Sequence, residues 1–216
     1  MTRYLGLPFV AALAACGPGQ DNIGADALRS VEGLFADQAA GTRNLRASLT
    51  PAAINQLGQP VLYTRLASRD SEAGLLVAAR NGPVVTWLSQ DNISLSLEDG
   101  MVISTRGLGD ELMSADVEEP LAALRGARET AVRVHRYIDG ERQLVPRSFV
   151  CTYALAGPEA GRSQAARVVV ERCQSVDLAF ENRYWLTRDG RIWKSRQWLG
   201  PENGHIETEL LRPGSG

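Results

Sequence analysis

Carboxylates are the side chains that could most directly do chemistry in this chain. Asp110, Glu111 and Asp116 lie around Leu112-Met113, at the end of a dense run of turn-forming residues. Two carboxyl groups roughly 5–10 Å apart across a cleft can hydrolyse a glycosidic bond. Such residues serve more often as helix caps or solvated turn charges. Catalysis by the carboxyl groups of Asp110 and Asp116 is therefore the alternative to a non-catalytic function.

Other catalytic and metal-binding patterns do not occur in the sequence. The two histidines, His135 and His205, each lie inside an alternating segment, which excludes an HExxH motif or a paired zinc ligand set. No GxSxG nucleophile elbow is found. Gly107 and Gly109 follow a predicted strand, but Leu112 stands where a dinucleotide fingerprint needs its third glycine. We interpret those glycines as a tight turn, and predict no catalytic residue, metal or cofactor.

The first residues indicate lipid attachment. Arg3 precedes an apolar run, residues 4–12, that is too short to span a bilayer, and the run closes on Leu13-Ala14-Ala15-Cys16. Small residues before a cysteine at this place are typical of a bacterial lipobox; an ordinary secretory signal with an incidental cysteine is the alternative. We predict a signal peptide at 1–15, an acylated Cys16, a tether at 16–24 and one β-rich periplasmic domain at 25–212. Gly17, which replaces the Asp of an inner-membrane retention signal, favours the outer membrane.

The remaining cysteines, Cys151 and Cys173, are predicted to form a structural disulfide. They flank the loop-like run 157–162 at equal distances from Arg162, so a hairpin turning there would place them opposite each other. A redox role would normally show a CxxC spacing, which is missing.

The elements that must position these residues are mostly strands. Alternating segments begin at Val61 and recur to Leu211, with hairpin signals at Asn81-Gly82, Asp99-Gly100, Asp139-Gly140 and Asp189-Gly190. Helices are expected over 26–41, from Thr50-Pro51 for a turn or two, and from a capping box of Asp116 with Glu119. The prediction is a mainly β protein: a single antiparallel β-sandwich or barrel-like domain with one or two short N-terminal helices and a short helix near 117–125.

A candidate binding face follows from alternation in the late segment 191–199. Lys194, Arg196 and Trp198 alternate onto one face, and two cations are seldom placed on a buried face. We therefore expect Trp198 to be partly exposed beside its cations, as a sugar platform or a protein hot spot requires. The alternative is that all four tryptophans fill a β core. The candidate face comprises Arg106, Asp110, Lys194, Arg196 and Trp198.

The chain resembles the YjbF/GfcB family of lipoproteins, which are associated with exopolysaccharide and group 4 capsule production. The residues that carry the resemblance are Leu13-Ala14-Ala15-Cys16, the block from Asn81-Gly82 to Trp87, the run from Thr105 to Met113 with its GLGDELM, and the tail from Tyr184 to Trp198 with its SRQW. The resemblance covers about residues 45–210. It implies an outer-membrane lipoprotein, mostly β, with no defined catalytic residues to transfer.

The function expected from the sequence is that of a non-catalytic accessory in exopolysaccharide or capsule production or export. The protein would be held in the outer membrane by lipid on Cys16, would face the periplasm, and would bind polysaccharide or a secretion-system protein. A carbohydrate-active enzyme using a carboxylate pair is the alternative. Nucleic acid is not an expected partner, because the net charge is −2 and no Lys/Arg run occurs.

Replacing Cys16 with Ser is expected to abolish acylation and leave the precursor uncleaved, because the thiol is the acyl acceptor. Radiolabelled palmitate followed by gel fluorography measures this, with the unsubstituted protein as the positive control. Palmitate that still enters the Cys16→Ser protein would contradict the lipobox.

Overall fold

The computed structural model describes residues 44–126, 128–156 and 167–212 and shows one twelve-stranded antiparallel sheet that curls into a nearly closed barrel. The predicted mainly β, barrel-like fold is confirmed. The sheet order is β5-β4-β3-β2-β1-β12-β11-β10-β9-β8-β7-β6, so β1 pairs with β12 and the two sheet ends are β5 and β6. The strands are β1 (Val61–Leu66), β2 (Ser71–Asn81), β3 (Val84–Leu88), β4 (Ser94–Glu98), β5 (Met101–Arg106), β6 (Ser114–Asp116), β7 (Thr130–Ile138), β8 (Leu144–Leu155), β9 (Arg167–Gln174), β10 (Ala179–Leu186), β11 (Ile192–Gly200) and β12 (Gly204–Leu211).

Short helices accompany the barrel: α1 (Leu45–Ser48), α2 (Pro51–Leu57), a 3₁₀ turn (Ala67–Arg69) and α3 (Glu118–Leu124). The predicted start at Thr50-Pro51 is confirmed, since the Thr50 hydroxyl accepts from the Ala53 N–H and Pro51 is the first helical residue. Gly58 ends this helix in the left-handed conformation. The helix predicted over 26–41 lies outside the described residues.

The predicted capping box of Asp116 with Glu119 is wrong, although a helix does follow. Asp116 is the last residue of β6 and pairs with Val134, so its backbone is committed to the sheet. The residue that precedes α3 is Val117, which makes no side-chain cap. The Glu119 carboxylate instead accepts from the Val132 N–H and thereby ties α3 to β7.

The four predicted hairpin signals all lie between paired strands. They connect β2 to β3, β4 to β5, β7 to β8 and β10 to β11. At the second of these turns both Asp99 and Gly100 have positive φ, 47° and 91°, as a tight hairpin requires. Gly100 also allows a close approach: a Cβ there would lie 2.7 Å from the Cβ of Ile192.

The barrel interior contains most of the apolar core. Inward-facing residues of β1 to β5 form one cluster that includes Leu75, Trp87 and Leu95, while α3 enters one end of the barrel and packs Leu121 and Leu124 against the interior. Outside, α1 and α2 cover the outer face of β1 and β2. These layers leave α3 and the neighbouring hairpin turns to shape one end of the barrel.

Gln197 satisfies backbone groups where β5 would otherwise be an unpaired edge. Its carboxamide oxygen accepts from the Val102 N–H at 2.9 Å, and its amide donates to the Gly100 carbonyl at 3.0 Å. An unpaired buried backbone group costs about 1–3 kcal/mol of stability. The Gln197 side chain on β11 avoids this cost by making hydrogen bonds that a neighbouring strand would otherwise make with β5. The two hydrogen bonds link β11 to β5 and to the β4–β5 turn across the barrel interior.

The predicted disulfide is present. Cys151 and Cys173 are directly opposite in the β8–β9 register, with their Cα atoms 4.0 Å apart, and both are buried. The disulfide bond lies beside Phe149 and Phe180 in a small buried cluster formed by residues of β8, β9 and β10.

Replacing both Cys151 and Cys173 with Ala is expected to lower the free energy of unfolding by about 2–4 kcal/mol, because the cross-link restricts the unfolded chain. Urea denaturation followed by circular dichroism measures the change. The unsubstituted protein should show no thiol that reacts with iodoacetamide before denaturation and reduction, and ready alkylation of both cysteines would overturn the pairing.

Candidate functional site

The structure separates the carboxylates that the sequence placed together. Asp110 lies in the loop before β6, where its carboxylate approaches Gly200 at the end of β11. Asp116 lies at the other end of β6. Glu111 is used by the loop itself: it accepts from the backbone N–H groups of Leu108 and Gly109 and from the Thr105 hydroxyl. Asp110 and Asp116 therefore belong to different elements, the loop before β6 and the end of β6.

The loop that contains Asp110 is a compact structural unit. Gly107, Gly109 and Asp110 all have positive φ, which confirms the tight turn expected from the sequence. The Arg106 guanidinium donates to the carbonyls of Thr105, Leu112 and Met113, and so closes the loop from outside. Arg106 thus has a role in holding the loop, and the backbone carbonyl of Asp110 accepts from the Asn203 amide.

The two cations of β11 are neighbours of acidic residues on the outer face of the sheet. In the β11–β12 register Lys194 is opposite Glu209 and Arg196 is opposite Glu207. Arg46 of α1 also binds Glu209 with two hydrogen bonds, at 2.6 and 2.9 Å. Opposite charges in directly facing positions stabilise a sheet, so Lys194 and Arg196 have a structural explanation on this face.

Trp198 is partly exposed, as predicted, and its ring also belongs to an aromatic cluster. It stacks on Phe180 with centroids 4.4 Å apart and lies parallel to His135 at 5.8 Å. The β11–β12 register is regular from Lys194 to Trp198 and shifts only between Trp198 and Gly200. The ammonium group of Lys194 lies over the ring of Trp185 at 5.2 Å. Trp198 is packing for the aromatic cluster, and its loss would act on stability first.

An ion pair lies inside the barrel. Arg133 of β7 and Glu171 of β9, exposed by 1% and 0%, make two hydrogen bonds at 3.0 and 3.1 Å. The Glu171 carboxylate also accepts from the hydroxyls of Tyr153 and Tyr184 and from the Asn182 amide. Burial alone would raise the pKa of Glu171, but Arg133 and these donors outweigh it and lower that pKa. A carboxylate so saturated and enclosed is a structural centre.

His135 lies next to this centre with one ring nitrogen unpaired. The Tyr137 hydroxyl donates to the Leu199 carbonyl at 2.7 Å, so it must accept from Nδ1 of His135, at 2.9 Å. Nε2 is then an acceptor with no partner among the described residues. Burial, with a smaller contribution from the charge of Arg133, lowers the pKa of His135 well below its usual value. The imidazole is neutral inside the folded barrel.

A cleft of about 510 Å³ opens at the end of the barrel where α3 and three hairpin turns meet. We call it the end cleft. Its floor is formed by core residues, among them Leu62, Trp87 and Leu97, and Val85, Trp193 and Leu210 line its walls. Its volume lies within the roughly 300–1,000 Å³ typical of ligand sites. The rim consists of charged residues from the turns and strand ends: Arg80, Asp99, Arg125, Asp189, Arg191 and Arg212.

The rim has more positive than negative charge. Arg125 pairs with Asp99 and Arg191 pairs with Asp189, each at 2.5 Å, so both carboxylates are engaged. The other two rim arginines, Arg80 and Arg212, are exposed and make no ion pair within the described residues. An anionic group in the cleft would therefore meet two uncommitted guanidinium groups.

None of these four arginines was singled out from the sequence. A signal was nevertheless available, because Arg80 directly precedes Asn81-Gly82 and Arg191 directly follows Asp189-Gly190. Arginines beside hairpin turns collect at one barrel end whenever the turns do. Which turns share an end depends on the strand order, and the sequence alone did not give that order.

The described residues thus form a nearly closed β-barrel with a buried ion pair inside and a cleft at one end. The family described as "Group 4 capsule polysaccharide lipoprotein gfcB, YjbF" matches residues 28–211, and the chain belongs to this family. This confirms the resemblance found in the sequence.

Two proteins from Escherichia coli are similar to this chain. The "Uncharacterized lipoprotein YjbF" of strain K12 is 26% identical over 133 residues, which are 58% of this chain and 63% of that protein. The chain thus aligns with less than two thirds of that relative's length. The crystal structure of the hypothetical lipoprotein YmcC (K12) superposes with a TM-score of 0.64 at 23% identity, covering 81% of this chain and all of the other. The latter similarity supports the fold. Within residues 44–126, 128–156 and 167–212, no helix is long and apolar enough to cross a bilayer.

The neutral state of His135 predicts a pH-dependent stability. Its pKa is lower when folded than when unfolded, so its contribution is complete above an unfolded pKa of about 6.5 and is lost as pH falls from there towards the folded pKa. We expect the free energy of unfolding to fall by about 1 kcal/mol between pH 7 and pH 5.5 from this residue.

Urea denaturation at a series of pH values measures the effect. His135→Phe should flatten this part of the profile, and His205→Gln, which changes a partly buried histidine on β12, should keep the His135 contribution. An unchanged slope in His135→Phe would contradict the assignment.

Proposed function

We propose that this protein is a non-catalytic accessory of exopolysaccharide or capsule production or export, and that it acts by binding the polymer. Its lipid, on Cys16, would anchor it in the outer membrane with the barrel facing the periplasm. The observation that carries the proposal is the end cleft, which combines two indole rings with an excess of arginines in a member of a capsule lipoprotein family. Binding to an export component is the other outcome that the experiment below distinguishes.

The non-catalytic assignment rests on how the carboxylates are used. A glycosidase needs one carboxyl group to donate a proton and a second to act as nucleophile or base. In the end cleft Asp99 and Asp189 are each held by an arginine, and no further carboxylate of the described residues lines the cleft. Inside the barrel Glu171 is saturated by five donors. The chemistry supported best is therefore recognition.

Deleting the gene from its own strain should reduce the amount of secreted polymer, measured as cell-free uronic acid and total hexose. The wild-type gene should restore secretion. The Cys16→Ser gene should restore it poorly, because the protein would not be placed at the membrane. Secretion that is unchanged by the deletion would refute the proposed function.

Cross-linking in the complemented strain separates the two modes of action. If polymer binding is the mode, the affinity-purified protein retains polysaccharide after washing in detergent. If only an export protein is retained, and no polysaccharide, the accessory function stands but its polymer-binding mode is overturned.

A further inference from the structure

We infer that the end cleft is a binding site for an acidic saccharide chain, in which Arg80 and Arg212 hold the anionic groups and Trp193 packs on a sugar ring above the apolar floor. The inference rests on the proposed function and specifies its ligand class. It assigns the recognition to a different part of the molecule from the outer face of β11.

The uncommitted charge at the rim is the first reason. Arg125 and Arg191 are neutralised by the two aspartates, at 2.5 Å in each case, and these pairs fix the turns that shape the opening. Arg80, next to the β2–β3 turn, and Arg212, just after β12, remain exposed. Guanidinium groups donate in a planar fork that matches carboxylate and phosphate oxygens. The chain as a whole has a net charge of −2, so this local excess is not a general property of its surface.

The apolar floor is the second reason. A rim of arginines alone would suit any anion, but here the arginines surround an apolar surface that includes Leu62, Trp87 and Leu97. Trp193 lines the same cleft and is only partly buried. Sugar rings present C–H faces that pack on indole. An acidic polymer without rings would leave this floor unused.

The shape of the cleft is the third reason. It is open at the end of the barrel, and its volume of about 510 Å³ is bounded by α3 on one side and by the hairpin turns on the others. A ligand there meets the aliphatic face of Leu121 and Leu124 as well as the rim charges. Such a recess admits the end or a short bend of a polymer.

Isothermal titration calorimetry on the acylated full-length protein in detergent tests the inference, with an alginate oligomer as the acidic saccharide probe. Dextran of the same length is the neutral probe, and polyglutamate is the acidic probe without sugar rings. We expect the alginate oligomer to bind and the other two to bind at least tenfold more weakly. Arg80→Gln and Arg212→Gln should each weaken alginate binding about tenfold, because each removes a charge-assisted contact.

Arg196→Gln is the matched control. It removes the same charge from the outer face of β11, where Arg196 is opposite Glu207, and should leave alginate affinity unchanged. All three arginine variants are expected to melt within a few degrees of the parent, since surface substitutions change stability little. If Arg196→Gln weakens binding and the rim variants do not, the end cleft is not the site.

Tryptophan fluorescence reports where the ligand binds, independently of the charge changes in the arginine variants. Alginate should change the emission of the parent, and Trp193→Phe should reduce that change, whereas Trp198→Phe, at the other end of the barrel, should preserve it. Equal binding of polyglutamate, absent binding of alginate, or an unaltered fluorescence response in Trp193→Phe would each overturn the inference. Loss of secretion on gene deletion together with absent alginate binding would refute the ligand class and leave the accessory function standing.

Discussion

The buried ion pair of Arg133 and Glu171 is the interaction on which the half of the barrel formed by β7 to β10 depends. Each charge loses several kcal/mol of hydration on burial, and only close, complete pairing compensates for that loss. The hydroxyls of Tyr153 on β8 and Tyr184 on β10 complete the hydrogen bonding of the Glu171 carboxylate. Arg133 also donates to the sulfur of Met101 on β5. A one-residue slip of any of these strands would turn a partner to the outer face. The pair therefore fixes the register of neighbouring strands and a contact across the barrel at once.

Filling the interior in this way restricts where a ligand can bind. The middle of the barrel contains the ion pair, the Gln197 contacts to β5 and the disulfide cluster, and their polar atoms are satisfied except for Nε2 of His135 and the indole N–H of Trp193 among the described residues. The end cleft lies beside this filled interior, where Gly100 of the β4–β5 turn approaches Ile192 at the start of β11. Because the adjoining interior is packed, a ligand would have to enter from this end of the barrel.

Strand positions could be predicted from the sequence because alternation and turn chemistry are local. The predicted alternation begins at Val61 and ends at Leu211, where β1 begins and β12 ends, and the cysteines face each other as expected. Strand β6 was missed, because three residues are too few to show a period. The misassigned cap has the same origin: Asp116 and Glu119 fit a local pattern, but pairing of Asp116 with Val134 is a long-range choice.

The site was harder to predict because binding residues are defined by what lies opposite them. Lys194 and Arg196 are cations on an outward strand, and their sequence neighbours do not reveal that Glu209 and Glu207 face them from β12. Arg80 and Arg212 look unremarkable in the sequence, yet the strand order places both at one opening, where the local aspartates already serve other arginines. Whether a charged side chain at the surface is paired depends on the charged residues that surround it in space. The sequence gives the residue types but not these spatial neighbours. An uncompensated cation is therefore a stronger indication of a binding site than a cation beside an aromatic residue in sequence.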